Sequence, residues 1–204
     1  MLETLALNIR QCRACVENPI GSPLPHEPRP VAVLSDKARI RIIGQAPGTR
    51  VHQSGRPFTD PSGARLRDWM GISVDDFYNP DILSITPMGF CFPGLDEKGS
   101  DLPPRKECAH LWHQRINAAM PQVELVLLIG MYAQKHYLGR QAKPTLTETV
   151  ANWRSYVSEP GNITHLPLPH PSWRNNAWIR KNPWFSSELL PALKIMIQDR
   201  ISVK

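Results

Sequence analysis

No apolar run in these 204 residues is long enough to cross a bilayer; the longest, over residues 125–131, falls far short of the roughly 20 residues a spanning helix needs. Residues 1–10 contain Glu3 and lack an apolar core of signal-peptide length, so a cytoplasmic protein that makes no membrane contact is expected. Internal repeats and low-complexity tracts are also missing, which excludes a solenoid and a long disordered segment. Cysteine is scarce: there are four, and only Cys12 and Cys15 stand close together.

What is present suits one domain over residues 1–204. With 41% apolar residues, a chain of this length buries roughly 70% of its unfolded surface as a single α/β unit. The formal charge of +6 and pI near 9.4 suit a polyanionic partner, although basic character alone does not demand one.

The apolar pattern alternates between strand and helix. Residues 2–11 form a short helix, and the prolines between Pro19 and Pro30 then enforce an irregular arm, because each fixes φ and removes a donor. Strands are expected at 39–43, 82–85, 123–129 and 163–168, and helices at 63–70, 106–119, 132–137, 146–156 and 186–201. The run at 123–129 is nearly all branched aliphatic, as a parallel strand buried on both faces requires. The expectation is a three-layer α/β/α sandwich on a mainly parallel four-stranded sheet.

Two loops then become informative. Gly44-Gln45-Ala46-Pro47-Gly48 follows the first strand, and His170-Pro171-Ser172 follows the fourth. Ligands of open α/β sheets collect at the carboxyl ends of strands, so the two loops are expected to face one crevice.

These loops, the Gly55-Arg56-Pro57-Phe58 turn and the strand from Val126 to Gly130 together resemble the uracil-DNA glycosylase superfamily. The resemblance runs from Cys12 to about Phe185 and is nearest to the iron-sulfur, family 4 type class. Each piece is weak alone; their order and spacing carry the likeness. It implies a base-excision repair enzyme that hydrolyses the N-glycosidic bond of uracil or a related deaminated base in DNA, acting as a monomer. Two alternatives stay open, a weakly catalytic or non-catalytic damaged-DNA-binding protein of the same fold and a protein acting on a free nucleoside or nucleotide.

The resemblance gives the cysteines a role. One close pair, Cys12 and Cys15, with the separated Cys91 and Cys108, matches the ligand order of a [4Fe-4S] cluster, whereas a zinc ribbon usually repeats the close spacing. Zinc, or four unligated thiols, are the other readings. A cluster would tie the arm, residues 1–37, to the core, in a structural role.

Breaking a base-to-sugar bond leaves negative charge on the departing pyrimidine, so the site needs a donor at the base carbonyl and a positioned water. The resemblance assigns His170 as the donor and Gln45 as the water-orienting residue, with Ala46, Pro47 and Gly48 against the base. The loop nevertheless holds no carboxylate. Gln45 stands where the iron-sulfur class usually has Glu, and Ala46 where other uracil-excising members place an Asp. An amide oxygen orients water but does not take its proton. Asp60 reads either as a substitute base or, before Pro61, as an ordinary helix cap.

Phe58 is the candidate for stacking on the base, or else an ordinary core aromatic. An Asn that the family places near Thr86 is absent, which leaves Thr86, or backbone groups around Met88 and Gly89, to read the pyrimidine edge. By the same resemblance Ser172 and Arg174 contact phosphate and Trp173 wedges into the duplex. Residues 151–204 hold seven Lys or Arg against three acidic residues, which places much of the positive charge beside that loop. Trp184 is expected to pack under the last helix.

Overall fold

The computed structural model describes residues 2–158 and 161–202. Four strands, β1 (Ile40–Ile43), β2 (Leu83–Ile85), β3 (Leu125–Ile129) and β4 (Thr164–Leu168), pair in the order β2-β1-β3-β4. Every pair is parallel, which bears out the expected four-stranded parallel sheet. One isolated antiparallel bridge, Val33 to Ile85, flanks it.

Side chains alternate across the strands, and both faces are covered. Ile40, Ile42, Leu127 and Leu168 share one apolar cluster with Leu66 and Trp69 of helix Pro61–Met70 and with Leu193 and Ile197 of helix Leu190–Ile201. Ile43, Val126 and Leu128 share a second with Leu5 and Ile9 of helix Leu2–Arg10 and with Ile116. A sheet with two buried faces has no solvent side, which explains why β1 and β3 are wholly buried. Trp184 packs against the first cluster, as expected.

The helical regions differ from the sequence pattern in detail. The stretch expected over 106–119 contains a π-helical segment, Ala109–His113, between Lys106–Cys108 and Gln114–Ala119. At the carboxyl terminus Phe185–Leu189 is also π-helical; Pro191 near the start of the following helix lacks the N–H that would continue a regular α ladder. Short helices at Ala14–Glu17, Thr49–Ser54, Val74–Tyr78 and Asn176–Lys181 are too brief to show an apolar period.

Residues 19–30 contain no helix or strand, as their prolines require. Hydrogen bonds hold this arm in place. The Ile20 N–H donates to Glu107 Oε1 (2.8 Å), Arg105 Nη1 to the Ser22 carbonyl (2.8 Å) and His26 Nε2 to the Phe92 carbonyl (3.0 Å).

The topology fixes where a ligand sits. From β1 the chain crosses to β2 on one side, then returns to β3 on the other, so a crevice opens at the carboxyl ends of β1 and β3.

Candidate active site

The loop after β1 is braced by the segment after β2. The Met88 N–H donates to the Gly44 carbonyl (2.9 Å) and the Gly89 N–H to that of Gln45 (3.0 Å). Facing this loop is Phe58, which has φ +54°, the one positive φ at a non-glycine among the described residues. Such a conformation is strained and needs outside support. Tyr78 supplies it, its hydroxyl donating to the carbonyls of Pro57 (3.0 Å) and Phe58 (3.1 Å) while Arg56 stacks 3.4 Å from its ring centre. Gly63 makes room: a Cβ there would lie 1.9 Å from the Phe58 carbonyl oxygen.

The crevice is a cleft of about 690 Å³. It brings together residues 45–48, Phe58, His170 and residues 172–174 from three separate parts of the chain. Phe58 fits both of its readings, since the half-buried ring borders the cleft while meeting Phe77 edge-on at 5.9 Å.

Thr86 is not brought to the cleft. It is fully buried, and its hydroxyl accepts from Nε of the buried Arg41 (2.6 Å). Arg41 also donates to Asn117 Oδ1 (2.6 Å) and the Tyr137 hydroxyl (3.2 Å), neutral partners that leave Thr86 needed as an acceptor. The neighbouring Ile85 and Pro87 line the cleft instead.

Asp60 also departs from expectation. It stands at the N-cap of helix Pro61–Met70, but its side chain bonds no helix N–H; Oδ2 accepts from the Ser62 hydroxyl (2.6 Å). Asp60 and Asp101 both border the cleft and both act electrostatically on His170. Burial lowers the His170 pKa, and the two carboxylates only partly oppose it, so the ring is neutral at neutral pH and presents one N–H. Asp101, Arg50 and Arg65 escaped the sequence reading, for no local pattern links them to the two loops.

The loop after β4 is preorganised. Arg65 Nη1 donates to the Ser172 carbonyl (3.0 Å) and to Asn176 Oδ1 (2.8 Å), and Asn175 donates to the His170 carbonyl (2.7 Å). Ser172 Oγ accepts from the Arg174 N–H (3.3 Å), capping the turn Trp173–Asn175. Trp173 is 72% exposed at the tip of this loop, a large apolar surface that no packing among the described residues explains.

Away from the cleft, Cys15, Cys91 and Cys108 are buried and Cys12 is half-buried; all four are free thiols. Cys15 and Cys91 share one small apolar cluster with Leu24, and the charges of all four sulfurs act on one another. Burial pushes the Cys108 thiol up to about 12, so bare thiolates would be disfavoured there without a cation. The Phe90 N–H points at Cys108 Sγ (3.4 Å). This donor set fits a thiolate-bound metal centre, although no three His, Cys, Asp or Glu side chains among the described residues already stand in ligating positions.

A parallel sheet opening a polar, part-aromatic cleft at its carboxyl edge defines an α/β protein with a ligand site at a topological switch point. The profile described as "Uracil DNA glycosylase superfamily" matches residues 31–194, and the chain belongs to that superfamily. Among relatives, a protein named type-4 uracil-DNA glycosylase from Sulfurisphaera tokodaii is 23% identical over 67% of this chain and 60% of its own length. Another of that name, from Thermotoga maritima, is 24% identical over 85% of this chain and 82% of its own. No helix among the described residues is long and apolar enough to cross a membrane.

Proposed function

We propose that the chain is a monomeric DNA glycosylase that hydrolyses the N-glycosidic bond of uracil or a related deaminated base in DNA. The observation that carries this reading is the meeting of His170, the residue 45–48 loop, Phe58 and the residue 172–174 turn in one cleft. In this reading the flipped base stacks on Phe58, lies against Ala46, Pro47 and Gly48, and receives the neutral His170 N–H at a carbonyl as charge develops there. Gln45 orients the attacking water through its amide oxygen. Backbone groups after β2, rather than Thr86, read the remaining base edge. The name that the two relatives carry, type-4 uracil-DNA glycosylase, agrees with this chemistry.

The test is incubation with single- and double-stranded oligonucleotides carrying uracil, hypoxanthine or xanthine, followed by cleavage at abasic sites. Excision of one of these bases is expected. Tight binding to a lesion without excision would favour a damaged-DNA-binding protein, and activity confined to free nucleosides would remove DNA from the reading.

Ser172 and Arg174 would grip phosphate and Trp173 would wedge at the opened base pair. DNA affinity is then expected to fall steeply with salt, and Arg174→Ala to reduce the slope by about one counterion without changing base preference. Fluorescence anisotropy at several salt concentrations measures both, and a salt-independent affinity would contradict the assignment of this face.

Cys12, Cys15, Cys91 and Cys108 would hold a [4Fe-4S] cluster, which when bound supplies a cross-link between the amino-terminal arm and the segment carrying Cys91 and Cys108. Protein purified without oxygen is expected to be brown, to absorb near roughly 400 nm and to contain iron. A colourless protein with one zinc would replace iron by zinc at these ligands.

A further inference from the structure

The Gly44–Gly48 loop has no carboxylate, yet one stands against it from a distant part of the chain. Asp101 closes the turn at residues 94–102, where it bridges to Leu95. The Asp96 N–H donates to the Ser100 carbonyl (2.8 Å) and the Leu102 N–H to that of Gly94 (2.9 Å). Inside the turn, Asp96 Oδ1 accepts from the N–H groups of Lys98 (2.9 Å) and Ser100 (2.8 Å). The turn is therefore braced by its own bonds and holds Asp101 at the cleft.

The approach is close. A Cβ placed on Gly48 would fall 3.3 Å from Asp101 Oδ2, a tight fit that the missing side chain of Gly48 relieves. Asp101 lines the cleft with Gln45, Phe58 and His170. No hydrogen bond occupies its carboxylate among the described residues, whereas one oxygen of Asp60, Oδ2, accepts from the Ser62 hydroxyl.

We infer that Asp101 is the catalytic general base, taking from the turn at residues 94–102 the role that the Gly44–Gly48 loop cannot fill. The inference rests on the glycosylase reading above. In the step, the C1′–N bond breaks and its electron pair leaves on the base, held by His170. The water oxygen bonds to C1′ while one water proton passes to the Asp101 carboxylate and from there to solvent. The departing base anion takes a proton from solvent. No further reactant is needed.

The surroundings suit this role. The charged groups acting on Asp101 are Arg174 and His170 from the loop after β4 and Asp60 before helix Pro61–Met70; Arg50 and Arg65 border the same cleft. Asp101 stays exposed at the cleft rim; the part of its carboxylate that is desolvated there raises its pKa, with Arg174 and His170 opposing, which brings the group nearer to the pH where a base works best. Ionised Asp101 is the active form, so the rate should fall as pH drops through this raised value.

Single-turnover excision of the best lesion from the panel above, with DNA saturated by enzyme, tests the assignment across an acid-to-neutral pH series. Asp101→Asn is expected to lose roughly 10²-fold and to lose the acid limb of the profile, while Asp101→Glu keeps a limb and part of the rate. Asp60→Asn, which alters the other carboxylate bordering the cleft, is measured beside them, and loss of the acid limb there with Asp101→Asn unaffected would move the role to Asp60 and overturn the inference. Unchanged DNA affinity and thermal unfolding of each variant would show that it is folded.

An Asp101→Asn enzyme with wild-type rate and pH profile, beside a crippled His170→Ala, would overturn the inference and leave the glycosylase reading standing. So would an Asp101→Asn enzyme changed only in DNA affinity and salt dependence, which would make Asp101 a tether for Arg174. A wild-type protein that excises nothing would overturn both readings together.

Discussion

Replacing His170 by Ala is expected to slow single-turnover base excision by roughly 10² or more, comparable to losing one oxyanion donor. The physical ground is that a donor is worth most where water is excluded and where charge appears only in the transition state. Burial lowers the His170 pKa, so the ring is a neutral donor that costs little to hold in place before charge develops. Its backbone is fixed as well, by the Asn175 side chain on the His170 carbonyl and by Arg65 on that of Ser172. DNA affinity should change far less than rate, because the proposed phosphate contacts come from residues 172–174. Equal losses in affinity and rate would move His170 from stabilising the departing base to general binding.

Gly63→Ala is expected to be the most damaging small substitution near the cleft. Its Cβ would meet the Phe58 carbonyl oxygen at 1.9 Å, and that oxygen is backbone, already bonded to the Tyr78 hydroxyl. Relief requires moving either the helix Pro61–Met70 or the Phe58 turn. The overpacking should cost ~3 kcal/mol or more. For a chain of this size that lowers Tm by about 6–12 °C, measurable by circular dichroism. Excision should fall further than stability alone explains, since Phe58 would no longer face the residue 45–48 loop. An unchanged Tm would mean that the strained turn shifts at little cost.

The sequence by itself determined the elements whose chemistry is local. Branched aliphatics at residues 40–43 and 125–129 can be satisfied only by burial on both faces, so the parallel sheet and its flanking helices were readable from pattern. The prolines of residues 19–30 excluded regular structure there for an equally local reason. The two polar loops stood out because each follows such a strand directly. The four cysteines could be counted and ordered, but their mutual approach is a property of the fold.

Tertiary structure decided what depends on direction and distance. Thr86 follows β2 as expected, yet its side chain faces the buried Arg41; one polar side chain in a strand can turn to either layer, and a buried guanidinium without a carboxylate claims it. Asp60 sits at a helix start as expected, but its carboxylate bonds the Ser62 hydroxyl and caps no helix N–H. Asp101 carried no sequence signal, because its value lies in meeting Gly48 across more than fifty intervening residues. Hydrophobic periodicity records which way a residue faces within its own element; it carries no record of which charged group the folded chain brings opposite.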